Sequence, residues 1–383
     1  MRWIRSHRSP AARWLFVASL ACAAPSAVLV AQPIPARLSD GEFWRLVTEF
    51  SESNGYFRSD NFVSNETTYQ WVIPDLLHTT SRGGVYLGVG PDQNFTYLVA
   101  LKPRIAFVFD IRRQNMLTHL MYKALIEQSA DRADFLSRLF ARPRPAGLDT
   151  SSSAAELFAA YQAVPPDSGL ARKTFAGILD RLRRRHGFAL SEPDTATIAY
   201  VYQTFVVLGP DITYNSNQAR PAFGRGRMPS YAELQIETDS AGTQRGYMSS
   251  ESNYRVLKEL ESNNLVVPLV GDFAGPKAIR SVGSYLKEHH LIVSAFYLSN
   301  VEQYLFQGDD EWRRFYQNVG TLPLDSSSTF IRSVFAGMGY YGGGGGINSY
   351  MRARQMLASM MEQVRLFNDG KLLSYDDVIR SSR

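Results

Sequence analysis

Two glycines and a carboxylate, set at fixed distances, carry the most chemical information in this chain. The stretch Val85-Tyr86-Leu87-Gly88-Val89-Gly90-Pro91-Asp92-Gln93-Asn94 reads as a strand that runs into a Gly-rich turn and then a helix. Glycines at such a turn let the backbone bend sharply and approach a ligand closely, and the following helix offers unpaired N–H groups. Asp110 ends the next apolar run, Arg104–Asp110, twenty residues after Gly90. A carboxylate at the end of a neighbouring strand accepts hydrogen bonds from both hydroxyls of a ribose. Gly88, Gly90 and Asp110 therefore predict a nucleoside site. The plainer alternative is a tight strand–helix turn with an acid that merely caps the next helix.

The choice of nucleoside follows from what the turn lacks. Dinucleotide-binding turns want G-x-G-x-x-G, and Gln93 holds the third glycine's place. A G-x-x-x-x-G-K-[ST] phosphate loop occurs nowhere in the sequence. S-adenosylmethionine is the natural candidate that remains, and at this point the chain resembles the class I methyltransferases. Their first motif is a strand, an acidic residue and G-x-G-x-G. The resemblance spans residues 81–130 and 263–335. More closely, the pattern looks like a bacterial family of methyltransferase-like Rossmann proteins, from which a fold carries over but no established reaction.

Under that resemblance, Gly88 and Gly90 match the glycines at the methionine end of the cofactor, and Asp110 matches the ribose-binding acid. Asp272 falls where the family places an acid beside the adenine. Ser299 and Asn300 fall where it keeps polar residues facing the reacting group, and Asn300 or Glu302 is the candidate to take a proton. Two positions depart from the pattern. Tyr86 stands where an acid usually precedes the first glycine, and Asp92 replaces the third glycine, where its carboxylate could bind an amine of the substrate or the cofactor. The resemblance implies methyl transfer from S-adenosylmethionine to an acceptor it does not name, without a metal. The alternative is a non-catalytic module that binds a small molecule or a protein on the same fold.

The elements that must position these residues are legible in outline. Ser39-Asp40-Gly41-Glu42 is a capping pattern, followed at helical spacing by Phe43, Leu46, Val47 and Phe50. A short helix is expected around Trp71–Leu77. Strands at 84–89 and 104–110, with a helix at 115–128 after the second, set a rhythm that predicts a parallel sheet with right-handed crossovers. The rhythm then stops. Helical segments at 131–141, 153–163, 169–185, 192–207 and 249–263 make residues 130–250 read as a helical insertion. It resumes with a strand at 265–270, a helix at 276–289, a strand at 291–298 and a short helix at 309–318. Two strands, Gly320–Leu324 and Thr329–Phe335, follow. Five glycines at 342–346 precede an expected amphipathic helix at 350–367. The predicted organisation is an N-terminal helical cap (38–80), a Rossmann-like α/β domain (81–335), and a Gly-rich linker with a C-terminal helix (336–383).

Composition bounds the rest. The chain has 383 residues, 45% hydrophobic and 20% charged, which excludes a disordered chain or a multi-span membrane protein. The net charge of +5 comes from Arg2, Arg5, Arg8 and Arg13; without these four the basic residues balance the 36 acids to within one charge. Nothing in the body calls for a nucleic-acid partner. Those arginines precede an apolar, alanine-rich stretch at 14–31, the pattern of a secretory signal peptide. The expected location is therefore periplasmic or secreted. Lipidation at Cys22 or an uncleaved tether are the alternatives, and no stable span is expected once the leader is cleaved. Cys22 is the sole cysteine, so a mature chain would lack disulfides, thiolate metal sites and cysteine nucleophiles.

Other chemistry finds little support. Asn/Asp-Pro-Pro-Tyr, H-E-x-x-H and G-x-S-x-G are absent. His289-His290 suits a helix C-terminus and Asp309-Asp310-Glu311 a helix N-terminus. Arg220, Arg225 and Arg227 form a candidate anion-binding loop. The expected partner is a small-molecule ligand; a protein partner is not specified.

Overall fold

Strands buried on both faces read as unbroken apolar runs, and such runs build the centre of this protein. The computed structural model describes residues 35–215, 228–335 and 353–383. Among them the sheet has six strands: β1 (Val85–Val89), β2 (Ile105–Asp110), β3 (Val266–Val270), β4 (Val293–Ser299), β5 (Thr329–Phe335) and β6 (Ala353–Ser359). Their order is β3-β2-β1-β4-β5-β6. The first five are parallel, and β6 runs antiparallel to β5. The fold is mixed α/β around a mostly parallel sheet. Pro268, which cannot donate to a ladder, sits in β3 at the sheet edge, where one side of the strand needs no partner.

Two helices, α1 (Asp40–Phe50) and α2 (Ile73–Thr79), precede the sheet, and α3 (Gln93–Leu101) joins β1 to β2. Between β2 and β3 the chain forms α4 (Arg113–Gln128), α5 (Arg132–Leu139), α6 (Ala154–Gln162), α7 (Ser168–Leu179), α8 (Glu192–Leu208), α9 (Tyr231–Ile236) and α10 (Glu251–Ser262). Then α11 (Ala278–Glu288) links β3 to β4, α12 (Val301–Leu305) and α13 (Glu311–Val319) link β4 to β5, and α14 (Met360–Asn368) and α15 (Tyr375–Arg380) follow β6. None of the described helices is long and apolar enough to cross a membrane.

Local chemistry explains the boundaries. Ser39 Oγ accepts the Glu42 N–H at 3.1 Å and starts α1, whose Phe43, Leu46, Val47 and Phe50 are buried. On α11, Ile279, Val282 and Leu286 are buried, each stabilising the fold by about 1.5–3 kcal/mol through its apolar surface. The helix α4 is buried around nearly its whole girth, Lys123 and His119 included, because β2 and β3 lie on one side and α8 and α10 on the others.

Two expected elements differ. The helix expected from residue 350 begins only at Met360, since 353–359 form β6 and pair with β5 over seven residues. Ala, Arg, Gln, Met and Leu favour helix locally, but without β6 the buried strand β5 would be left with unpaired backbone groups, and tertiary pairing wins. The strand expected at Gly320–Leu324 is absent. There the N–H groups of Gly320, Thr321 and Leu322 donate to Tyr316, Asn318 and Val319 as turns continuing α13, so they are not free for a ladder. The leader 1–31 with Cys22, the arginines 220, 225 and 227, and the Gly342–Gly346 run lie outside the described residues.

Within the expected N-terminal cap, the polar and aromatic segment 51–70 forms an extended strap across the C-terminal ends of β2 and β3. Glu52 N donates to Val270 O at 2.8 Å and Gly55 N to Ile111 O at 2.8 Å. The Arg112 guanidinium holds the carbonyls of Ser59 and Asp60.

Candidate ligand cleft at the strand ends

In parallel sheets, ligands gather where strand order reverses beyond the carboxyl ends. Here that point lies between β1 and β4, and the ends of β1, β2, β3 and β4 open on a cleft of about 180 Å³, room for roughly a dozen waters. The strap forms its roof through Phe57, Asn61 and Ser64–Glu66.

Gly90 lines this cleft with φ +80°, a conformation that requires glycine. Its N–H donates to Phe109 O at 3.2 Å. Its carbonyl is turned inward and accepts from Asn94 Nδ2 at 3.1 Å, Asn115 Nδ2 at 3.1 Å and His119 Nε2 at 2.9 Å. A carbonyl only accepts, so His119 carries its proton on Nε2. Burial pushes the His119 pKa down to about 4, keeping the ring neutral. A Cβ on Gly90 would meet only Gln93 Nε2, at 3.3 Å.

Asp110, 5% exposed, lines the same cleft. Its Oδ1 accepts the Arg112 N–H at 2.8 Å and Arg112 Nε at 3.4 Å. Among the described residues, Oδ2 has no donor. Burial raises the Asp110 pKa, and the Arg112 charge opposes that rise. Asp272 lines the β3 corner, with Oδ1 accepting from Ala274 N at 2.9 Å. The adjoining loop wraps the Glu52 carboxylate, which accepts from the backbone of Asp272 (3.0 Å), Lys277 (2.7 Å) and Ala278 (2.9 Å). Ser299 and Asn300 line the β4 corner; Ser299 sits at φ +51°, a costly value for a residue with a side chain.

Three predicted residues stand elsewhere. Gly88 packs inward: a Cβ there would fall 2.0 Å from Asn94 Oδ1 and 2.7 Å from Tyr86 Cε1. It makes room for the Asn94 clamp and does not border the cleft. Asp92 also turns inward, 1% exposed, accepting from Gln235 Nε2 at 2.9 Å and Tyr247 OH at 3.1 Å. Burial among these neutral partners lifts its pKa to about 7. Glu302, 2% exposed, forms a buried ion pair with Arg332 of β5 and accepts from Tyr316 OH, so it is not available to a ligand. Its neighbour Tyr304 does line the cleft.

Glu66 is the residue that the sequence did not single out. It borders the cleft at 1% exposure. Tyr297 OH donates to Oε2 at 2.6 Å, Ser333 Oγ also donates to Oε2, Gln355 Nε2 approaches Oε2 at 3.3 Å, and Ser299 Oγ donates to Oε1. No spacing marks it, since it lies in a segment without helical or strand periodicity. The only hint is an acid between Asn65 and two threonines in a stretch rich in Asn, Ser and aromatics.

The cleft lining contains three carboxylates, Glu66, Asp110 and Asp272, and no basic side chain among the described residues. Phe57, Tyr214, Phe273 and Tyr304 supply aromatic walls, with Phe57 and Tyr304 edge to face at 5.5 Å. A wider groove of about 360 Å³ lies beside α2, α3 and residues 243–253. Its one charged lining residue, Arg245, is bound to Asp239 at 2.5 Å, and no strand end reaches it. Among the described residues, no group of three or more His, Cys, Asp or Glu side chains is placed to hold a metal ion.

Comparison with known families then gives one result. The model of a family described as a domain of unknown function (DUF7790) matches residues 61–149 and 211–376, more than half of the chain. The chain belongs to the DUF7790 family. All the cleft residues except Phe57 fall within the matched segments, and the matches leave out α1, the first half of the strap, α6, α7 and α8. No curated protein matches the chain.

Proposed function

We propose that this DUF7790 protein holds the adenosine half of S-adenosylmethionine in the strand-end cleft and is an exported, methyltransferase-type protein of the Rossmann class. One observation carries the reading: Gly90 and Asp110 border the same cleft, at the point where strand order reverses. The residues present suit such a group. Asp110 Oδ2 has acceptor capacity to spare for a ribose hydroxyl, and the Gly90 bend is open on its cleft side. Phe273 and Ile111 offer flat and apolar contact for a base beside Asp272. An acidic lining without a described basic side chain disfavours phosphate-bearing nucleotides and suits a sulfonium. When bound, S-adenosylmethionine supplies an electrophilic methyl group. The chain's own residues would position donor and acceptor and exclude water, with Ser299 and Asn300 at the β4 corner.

A second reading, a non-catalytic binding module, gains from Glu302. One of the two candidate proton acceptors is locked in an ion pair, and an exported protein would lie outside the compartment where S-adenosylmethionine is made. Calorimetry with S-adenosylmethionine tests the binding: stoichiometric heat that disappears in Asp110→Ala supports the site, and no heat rejects it. A reporter fused after residue 31 tests export, and retention in the cytoplasm would reject that part.

A further inference from the structure

Buried charges are either paired or waiting for a partner, because desolvating an ion costs several kcal/mol. Glu66 has no basic side chain in ion-pair reach among the described residues; its partners are hydroxyls and one amide. Hydroxyls steady a carboxylate without neutralising it. On Oε1 there is a single donor, Ser299 Oγ, so that oxygen keeps acceptor capacity. Ser299, which makes this contact beside the cleft, has φ +51°.

Gln93 joins the same network through Tyr297 OH, two hydrogen bonds from Glu66. Gln93, 4% exposed and lining the cleft, donates through Nε2 to Val89 O at 3.4 Å and to Tyr297 OH at 3.2 Å. The Val89 carbonyl fixes which end of the amide carries the hydrogens, so Oε1 is the free end, and it is buried without a partner. Asn61 Oδ1, from the roof, is likewise buried and unpartnered. A cleft-lining carboxylate without a counter-charge calls for a group that only donates. An alkylammonium, with three N–H donors, one positive charge and no acceptor, fits that description.

We infer that the Glu66 end of the cleft is a subsite for a protonated primary or secondary amine, with Glu66 as its counter-ion. The role first read at Asp92 belongs to Glu66. The inference rests on the nucleoside reading only for the ligand it places next door. The amine is either the amino-acid end of the nucleoside ligand or a separate amine-bearing acceptor.

Three calorimetric titrations separate these cases: S-adenosylhomocysteine, 5′-methylthioadenosine (which lacks the amino acid), and n-butylamine set against 1-butanol. Wild type is expected to bind butylamine at least tenfold better than butanol, or S-adenosylhomocysteine at least tenfold better than methylthioadenosine. Glu66→Gln is expected to remove that preference while leaving methylthioadenosine within twofold. Loss confined to S-adenosylhomocysteine assigns the amine to the nucleoside ligand. Butylamine binding that persists in wild type saturated with S-adenosylhomocysteine and is lost in Glu66→Gln assigns it to an acceptor. A wild type that shows neither preference overturns the proposal, whether or not the variant folds, and so does a folded Glu66→Gln that keeps the preference. Glu66-dependent butylamine binding with no heat from methylthioadenosine would leave the amine subsite standing and reject the nucleoside reading.

Discussion

Glu66 and Glu302 are two carboxylates buried to nearly the same degree on either side of the β4 end, and they are treated differently. Glu302 faces β5, where Arg332 meets both its oxygens and Tyr316 completes the set. Glu66 faces the cleft and meets only neutral donors. The first is a closed ion pair that ties α12 to β5. The second keeps its charge unbalanced where a small molecule can reach it. Depth of burial is the same in both cases; what separates a structural acid from a site acid is whether the fold supplies the counter-charge.

The largest effect should fall on the closed pair. Arg332→Met leaves Glu302 buried and uncompensated and should cost about 3–5 kcal/mol, read as a lower urea midpoint with an unchanged slope. Glu66→Gln should cost under about 1 kcal/mol while lowering amine affinity at least tenfold, because it removes a charge that no protein group balances. If Glu66→Gln destabilises as much as Arg332→Met, the contrast between the two acids collapses.

Asp92 sharpens the comparison through pH. Its carboxyl titrates near 3.8 when unfolded and at about 7 when folded, so between pH 4 and 7 the native state holds a proton that the unfolded state has lost. Stability therefore falls as pH rises across that window and levels off above it. Asp92→Asn should flatten this slope and raise stability at pH 8 by about 2 kcal/mol or more. Urea unfolding at pH 5 and pH 8 measures it, and an unchanged slope would return Asp92 to the ordinary carboxylates. Gly90→Ala, forced to φ +80°, should cost about 1–2 kcal/mol and weaken methylthioadenosine binding without touching the preference for butylamine over butanol. Asp110→Asn should lower nucleoside affinity about tenfold.

The sequence announced features whose causes are local. Ser39 caps the helix it was expected to cap, and the unbroken apolar runs at 85–89, 105–110 and 266–270 form parallel strands. Gly90 and Asp110 converge because strand ends in a parallel sheet all point to one edge. What stayed hidden depends on direction. Gly88, Asp92 and Glu302 have the right type and spacing, but spacing does not say on which side of β1, α3 or α12 a side chain emerges. Glu66 was illegible for the opposite reason: the strap has no periodicity, and its position is set by bonds to residues far along the chain. β6 depended on the need of β5 for a second neighbour, a demand that no window of sequence contains.

The Glu52 carboxylate, gripped by three backbone N–H groups of the β3–α11 turn, acts as a latch between roof and floor. Raising the strap here strips all three donors of their acceptor in one event, so opening on this side is close to all-or-none. The residence time of anything trapped beneath would then be governed by how often this latch and the neighbouring backbone bonds of the strap open together, a matter of kinetics separate from how tightly the walls hold it.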